Sequence, residues 1–142
     1  MKTVAQMLKL KPAGVISVPP DLPVLDALKV LADKDVGAVL VMDGVQLLGI
    51  VSERDYARKV ALKGKSSSAL RVSEIMTREV VFVTPSQTNE ECMALMTGKR
   101  LRHLPVIDKG AVLGVLSIGD LVKDVISEQK FIIEQLEHYI HR

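Results

Sequence analysis

Two short segments of the chain combine a hydroxyl and a carboxylate at the same spacing. Ser52 is followed three residues later by Asp55, and Ser117 by Asp120, and the two copies lie 65 positions apart. A serine at the start of a helix accepts a hydrogen bond from the first turn, whose other N–H groups form an anion site. A carboxylate on that turn can accept hydrogen bonds from both hydroxyls of a ribose. The pattern therefore fits the phosphate and the ribose of a nucleotide.

The same spacing also has a purely structural interpretation. Ser-x-x-Asp is close to an ordinary capping box, in which the two side chains only start a helix. A single copy favours that interpretation. The second copy, at a constant lag inside a longer repeat, shifts the balance toward a binding site.

The elements that must position these motifs repeat as well. Each copy predicts a short helix, a first strand, a helix after a proline, and a hairpin whose second strand runs into the motif. The predicted short helices and strands are 3–9, 15–18, 38–42 and 46–51 in the first copy, and 71–77, 80–83, 104–107 and 111–116 in the second. Gly49 and Gly114 interrupt the last apolar strand of each copy, which indicates a close approach by another part of the chain or by a ligand.

The repeat divides the sequence into three parts. We predict a first repeat with its connector at 1–68, a second repeat at 69–126 and a C-terminal helical extension at 127–142. One long helix is expected from about Leu121 to Arg142. Its apolar stripe consists of Phe131, Ile132, Leu136, Tyr139 and Ile140. Two roles stay open for the stripe: packing against the rest of the chain, which is favoured, and contact with another subunit.

Composition narrows the class of protein. The 142 residues are 48% hydrophobic and 3% aromatic, with a net charge of +2, which argues against nucleic acid as the main partner. Cys92 is the sole cysteine, so it forms no intramolecular disulfide, and we expect a core position rather than a catalytic thiol. The histidines lack metal-ligand spacing. No leader or membrane span is recognised, which predicts a cytoplasmic protein.

The repeated unit of strand, proline, helix, hairpin and G-x-x-S-x-x-D resembles the CBS domain, named after cystathionine β-synthase. The segment Arg102-His103-Leu104-Pro105-Val106-Ile107-Asp108 strengthens the resemblance, and two copies in tandem resemble a Bateman module. The resemblance implies an α/β (α+β) fold. It consists of two pseudo-symmetric β-α-β-β-α repeats packed sheet to sheet, followed here by the C-terminal helical tail.

The resemblance also implies a ligand, because members of this family bind adenine nucleotides in two clefts between their repeats. AMP, ADP, ATP or NAD is therefore expected, with Asp55 and Asp120 on the riboses and Ser52 and Ser117 facing the phosphates. The remaining residues that match the family's binding positions are Ile16, Ser17, Val81 and Phe82 beside adenine, and Gly37, Ala38, Arg54, Arg102 and His103 near phosphate.

The phosphate positions differ between the copies. Gly37-Ala38 aligns with Arg102-His103, and Arg54 aligns with Gly119. We therefore expect the Asp55 cleft, reached by Arg54, Arg102 and His103, to favour more phosphate. A structural role at the end of a strand is an equal alternative for His103.

Three functions compete. The first is a regulatory sensor, in which a bound adenine nucleotide changes the conformation of a homodimer and an unidentified regulated protein responds. The second is a purely structural dimerisation module without a nucleotide ligand. The third, an enzyme, is not expected, because the sequence shows no nucleophile–base set, no paired acid and base and no metal site. Neither a membrane nor a nucleic acid is expected as a partner.

Overall fold

The computed structural model describes residues 1–141, which form two compact units. The continuous unit is residues 15–81, and the split unit joins residues 1–14 to the chain from Phe82 onward. These units differ from the two sequence repeats, because the short helix before each repeat belongs to the unit that holds the other repeat. The division at 68/69 and 126/127 remains a prediction about the sequence.

The helices and strands follow the order that the repeat predicts. In chain order they are α1 (Val4–Lys9), β1 (Ser17–Val18), α2 (Val24–Lys34), β2 (Ala38–Asp43), β3 (Gln46–Ser52), α3 (Glu53–Tyr56) with a π-helical continuation (Ala57–Ala61), α4 (Val72–Ile75), α5 (Asn89–Lys99), β4 (His103–Asp108), β5 (Ala111–Ser117) and α6 (Ile118–Ile140).

A three-stranded sheet forms the centre of the continuous unit. β1 runs parallel to β2, and β2 runs antiparallel to β3. The pairing of Ala38 with Ser52 places the end of β3 beside the start of β2. The core residues are apolar side chains from the sheet and from the helices that cover it: Val18, Val24, Ala27, Leu31, Val39, Val41, Val51, Val60, Val72, Ile75 and Met76.

The segment around α4 closes the continuous unit. The N–H of Val72 donates to the carbonyl of Leu22 at 2.9 Å. Ile50 on β3 and Thr77 exchange two backbone hydrogen bonds of 3.0 and 2.8 Å. Residues that precede the second repeat are therefore hydrogen-bonded to the strand that carries the first Ser-x-x-Asp turn.

The split unit is built around the antiparallel pair β4 and β5, with α1, α5 and α6 as its helices. The N–H of Val4 donates to the carbonyl of Gln87 at 2.8 Å, and that of Asn89 donates to the carbonyl of Lys2 at 3.0 Å. The buried apolar residues of this unit are Val4, Met7, Val83, Cys92, Met96, Leu104, Val106, Leu116 and Leu121. The predicted core position of Cys92 is confirmed.

Helix α6 is anchored only along its first part. Leu121 and Asp124 are buried against the split unit, whereas every residue from 129 to 140 is exposed. The predicted C-terminal helix is thus confirmed to Ile140, and Arg142 lies outside the described residues. The favoured role for its apolar stripe, packing against the rest of the chain, is wrong, because the helix extends beyond its last buried residue.

The first strand of each copy is shorter than predicted. In the first copy only Ser17 and Val18 pair. In the second copy the predicted strand at 80–83 is wrong, since only Val83 pairs, through a single parallel bridge to Val106. The N–H of Val80 donates to the carbonyl of Arg78 at 3.1 Å, so the chain makes a tight turn at the start of the predicted strand.

Candidate functional site

Both Ser-x-x-Asp segments form complete capping boxes. Ser52 Oγ accepts from the N–H of Asp55 at 3.1 Å, and Asp55 Oδ2 accepts from the N–H of Ser52 at 2.9 Å. The corresponding distances for Ser117 and Asp120 are 3.3 and 2.8 Å. The predicted helix starts are confirmed, and both carboxylates are fixed on the first turn of a helix.

The Asp55 carboxylate has partners on both oxygens. Besides the capping contact at Oδ2, its Oδ1 lies 3.0 Å from Lys59 Nζ and accepts from the Thr77 hydroxyl at 3.3 Å. Lys59 Nζ also donates to the carbonyl of Ile75 at 2.8 Å. The carboxylate is 14% exposed, so a hydroxyl of a ligand would share or displace these contacts.

The Asp120 carboxylate is arranged differently. The N–H and hydroxyl of Ser117 and the ammonium of Lys11 all donate to Oδ2, at 2.8, 3.1 and 2.8 Å. Oδ1 therefore has no hydrogen bond among residues 1–141. Lys11 Nζ also donates to the carbonyl of Val115 at 2.6 Å, which attaches the N-terminal segment to β5. One oxygen of this carboxylate is available to a ligand.

These contacts shift the pKa of Asp120. Burial alone would raise the pKa, but the hydrogen bonds from Lys11 and Ser117 outweigh burial and lower it below its ordinary value. The group is therefore a carboxylate at neutral pH, and it acts as a hydrogen-bond acceptor.

The start of the hairpin's first strand lies directly against each turn. The carbonyl of Gly37 accepts from the N–H of Glu53 at 3.0 Å, and the carbonyl of Arg102 accepts from the N–H of Ile118 at 2.9 Å. Ala38 pairs with Ser52, and His103 pairs with Ser117. Within each unit, the structure thus brings the predicted phosphate positions beside the predicted serine and aspartate.

The two glycines of the motifs face close neighbours of different kinds. A Cβ on Gly49 would lie 2.7 Å from the carbonyl oxygen of Thr77 and 2.9 Å from the sulfur of Met76. A Cβ on Gly114 would lie 2.9 Å from a terminal methyl group of Leu8. The predicted close approach is confirmed, and the neighbour in each unit is the short helix segment that precedes the other repeat.

One family model, that of the CBS domain, matches residues 11–62 and 72–127. The two matches cover more than half of the chain, and each includes one Ser-x-x-Asp turn. The chain belongs to the CBS-domain family. It carries two tandem CBS domains, as the repeat predicts.

Relatives of known sequence or structure agree with this assignment. The "CBS domain-containing protein CBSX3, mitochondrial" of Arabidopsis thaliana is 43% identical over 82% of this chain, which spans 59% of that protein. Two longer Arabidopsis CBS-domain proteins are matched over 23% and 24% of their length. A solved CBS-domain structure from Burkholderia ambifaria is 56% identical, with a TM-score of 0.87, over 90% of this chain and 96% of that one.

A more distant structure has the same fold with a ligand. The CBS-domain protein PAE2072 of Pyrobaculum aerophilum was solved in complex with AMP. It is 24% identical, with a TM-score of 0.72, over 83% of this chain and 88% of that one. At this identity the likeness shows the fold alone.

The other predicted site residues of the CBS pair occupy varied positions. The carbonyl of Ile16 accepts from the N–H of Leu40 at 3.3 Å, Ser17 is exposed on β1, and Arg54 is exposed on the first turn after Ser52. Val81 is partly buried and Phe82 is exposed. The predicted combination of Asp55 with Arg102 and His103 draws on both units and remains a prediction.

The pKa of His103 lies below the ordinary value for histidine. Burial lowers its pKa, and the positive charges of Lys11 and Arg102 lower it further, while Asp120 opposes them. A histidine of lowered pKa is neutral at pH 7 and offers a hydrogen bond rather than a charge. The positive charge at this position therefore comes from Arg102.

A cavity of about 390 Å³ lies in the split unit beside Asp120. Its lining residues come from the N-terminal segment and from α6: Lys2, Met7, Leu10, Lys11, Pro12, Asp120, Lys123, Asp124 and Ser127. Lys2 pairs with Asp124 at 3.2 Å and Lys11 pairs with Asp120 at 2.8 Å. The third lysine, Lys123, has no ion-pair partner among residues 1–141. The lining of the cavity is therefore net positive.

Sequence reasoning missed the cations that accompany the aspartates. Lys59 follows Asp55 by four residues on the same helical segment, a spacing typical of ion pairs. Lys11 lies 109 positions before Asp120, and no periodicity could have connected the two. The available signal was weaker: the predicted short helices at 3–9 and 71–77 lie 68 positions apart, whereas the Ser-x-x-Asp turns lie 65 apart, so the first copy has three extra residues near 11–14.

No helix within residues 1–141 is long and apolar enough to cross a membrane. Among the same residues, no cluster of His, Cys, Asp or Glu side chains is suited to hold a metal ion.

Proposed function

We propose that this CBS pair is a regulatory module that binds an adenine nucleotide, namely AMP, ADP, ATP or NAD, at its Ser-x-x-Asp turns. The observation that carries the proposal is the surroundings of Asp120. A carboxylate with one unbonded oxygen lies at the start of α6, 2.8 Å from an ammonium group, on a cavity of about 390 Å³. That volume is within the range of small-molecule sites, roughly 300–1,000 Å³.

Each part of a nucleotide would meet a suitable group. The ribose hydroxyls donate to Asp120 Oδ1, while phosphate oxygens accept from the ammonium groups of Lys11 and Lys123 and lie near the positive end of the α6 dipole. Charge-assisted hydrogen bonds contribute about 1.5–3 kcal/mol each. After the cost of association, a few such bonds support micromolar binding, which suits a sensor of cellular nucleotide levels.

The Asp55 turn is proposed as a second site with different behaviour. Both oxygens of Asp55 already have partners, Thr77 and Lys59 among them. A nucleotide there has to displace protein contacts, so we expect weaker binding than at Asp120. The AMP complex of PAE2072, a protein of the same fold, makes AMP the first ligand to test.

The regulatory step follows from the origin of the lining residues. Lys11 belongs to the N-terminal segment, whereas Asp120 and Lys123 belong to the start of α6. A ligand that contacts all three holds these segments together and favours one conformation of the split unit. The proposed readers of that conformation are a second copy of the chain and an unidentified regulated protein.

Thermal unfolding with a panel of AMP, ADP, ATP, NAD and GTP tests the proposal. A ligand at 100 times its dissociation constant stabilises by about 2.7 kcal/mol, which raises the midpoint by several degrees. We expect a rise with at least one adenine nucleotide, a large reduction of that rise in Asp120→Ala and a smaller reduction in Asp55→Ala. The controls are Asp43→Ala and Asp108→Ala, which change exposed aspartates at the two hairpin turns.

The same panel decides the main alternative, a structural dimerisation module. Both capping boxes are complete without a ligand, and this observation favours the alternative. If no adenine nucleotide raises the midpoint of the wild-type protein, the serines and aspartates serve only to start helices. The nucleotide proposal is then rejected.

A further inference from the structure

The second half of α6 is an exposed amphipathic helix. All residues from 129 to 140 are exposed, including Ile132, Ile133, Leu136 and Ile140, whose exposed fractions are 49%, 54%, 56% and 73%. The CBS-domain match ends at residue 127, so this segment lies outside the matched domains.

The apolar residues of α6 form one stripe. Ile126, Ile133 and Ile140 recur every seven residues, and the alternating positions of the same face are Val122, Gln129 and Leu136, of which only Gln129 is polar. This is the pattern of two alternating apolar positions in a heptad that builds a helix pair. Phe131 is the exception and faces away from the stripe. A face of this kind fits another helix of the same character.

The charges beside the stripe identify which helix fits. Lys130 and Glu137 lie seven residues apart on one edge of the stripe, whereas the opposite edge carries Ile132 and Tyr139. In an antiparallel pair of identical helices, like edges face each other, so Lys130 of each copy meets Glu137 of the other. In a parallel pair, both charged residues would face the apolar edge instead.

We propose that residues 129–140 bind the same segment of a second copy of this chain as an antiparallel helix pair. In this register, Ile133 of one copy packs against Leu136 of the other, and Gln129 against Ile140, with two Lys130–Glu137 ion pairs along the charged edges. The overlap coincides with the segment in which every residue is exposed, so within residues 1–141 it displaces no buried side chain.

The length of the overlap sets the strength of the association. Twelve residues of helix extend about 18 Å, which makes a small interface compared with those of stable dimers. The pairing is therefore reversible and depends on protein concentration. It is independent of the nucleotide proposal, since none of the paired residues lines the cavity beside Asp120.

Charge exchange in the full-length protein tests the pairing, with mass measured by sedimentation velocity over a range of concentrations. Lys130→Glu and Glu137→Lys each place like charges opposite one another in the helix pair. Each variant is therefore expected to raise the dissociation constant of the association through residues 129–140 at least tenfold. The double variant Lys130→Glu/Glu137→Lys restores opposite charges and is expected to associate as strongly as the wild type. Glu134→Lys, on the outer face, is the matched control and leaves association unchanged.

The outcomes separate clearly. Loss in both single variants with recovery in the double variant supports the pairing. A wild-type protein that shows no association, or single variants that associate as the wild type does, would overturn it. If the copies associate through another surface, the single variants associate as the wild type does, and the proposal is rejected.

Chemical cross-linking tests the antiparallel direction. Lys130→Cys and Glu137→Cys proteins are treated with a short bismaleimide, separately and mixed. The native Cys92 is fully buried and does not compete. Cross-linked dimers in the mixture, in clear excess over either protein alone, support the antiparallel register. Equal cross-linking in the separate samples, or none in the mixture, rejects it.

Discussion

At the scale of single residues, the buried carboxylate of Asp124 is kept negatively charged by the hydrogen bonds that it accepts. Asp124 is 4% exposed and accepts from the backbone and ammonium of Lys2 and from the amide of Asn89. Burial alone would raise its pKa, but the hydrogen bonds from Asn89 and Lys2 lower it below its ordinary value. Asn89 Oδ1 is buried without a hydrogen bond within residues 1–141, so this network keeps one unsatisfied acceptor.

Acid is expected to weaken the split unit through these carboxylates. Because the pKa values of Asp120 and Asp124 are lower in the folded than in the unfolded state, their stabilising contribution is complete above the unfolded pKa, near 4. It is lost as the pH falls through the folded values. Urea unfolding at pH 7, 5, 4 and 3 should show a smaller loss on acidification in Asp124→Asn than in the wild type.

The exposed Asp108 provides the control for that experiment. Asp108→Asn should follow the wild-type pH dependence. An Asp124→Asn protein with an unchanged pH profile would show that this carboxylate is not held in its charged form by Lys2 and Asn89.

At the scale of helices and strands, each unit packs a glycine of one strand closely against a short helix segment. β3 and β5 each carry a glycine where that segment passes, but the neighbour is a backbone carbonyl of Thr77 in one unit and the side-chain end of Leu8 in the other. A backbone atom moves only with its whole segment, whereas a leucine methyl group can rotate away. The two units therefore tolerate added volume differently.

Alanine at the two glycines should reveal this difference. Gly49→Ala is expected to lower the free energy of unfolding by about 1–3 kcal/mol, since the Thr77 carbonyl has to shift. Gly114→Ala should cost less, because Leu8 can change its rotamer. Urea unfolding of both variants measures the comparison, and an equal or larger loss in Gly114→Ala would contradict the explanation.

Local elements were predictable because their signals are local. The hairpins follow from two successive apolar runs, the helix starts follow from Ser52 and Ser117, and the long α6 follows from its apolar period. The strand at 80–83 failed because apolar composition alone does not supply a pairing partner. Lys11 at the candidate site was missed because its partner is remote in sequence.

At the scale of the whole molecule, one unit of the chain is inserted into the sequence of the other. The continuous unit is formed by residues 15–81, which interrupt the split unit after residue 14. The repeat predicted which elements exist, but not that the short helices are exchanged, since periodicity describes one segment and not its distant partner.

Removing residues 2–12 should therefore destabilise the far end of the chain. The deletion eliminates Val4 and Met7, both buried, and the lysine partners of Asp120 and Asp124. Burying such apolar side chains contributes about 1.5–3 kcal/mol each, a large share of the usual total stability of about 5–15 kcal/mol. A lower thermal midpoint is expected by circular dichroism.

Two controls accompany the deletion. Leu10→Ser changes a side chain in the same segment that is 74% exposed, and it should leave the midpoint unchanged. A synthetic peptide of residues 1–14 added to the shortened protein should restore part of the loss. A deletion protein as stable as the wild type would disprove the structural role assigned to this segment.

The exchange of the N-terminal segment also imposes an order on biosynthesis. The partners of residues 1–14, among them Gln87 and Asp124, leave the ribosome long after the segment itself. At about 5–20 residues per second, the wait for Asp124 is on the order of ten seconds. During that time Val4 and Met7 are without their native cover and available to chaperones. Residues 1–14 are translated before most of their partners and are thus among the last to reach their native position.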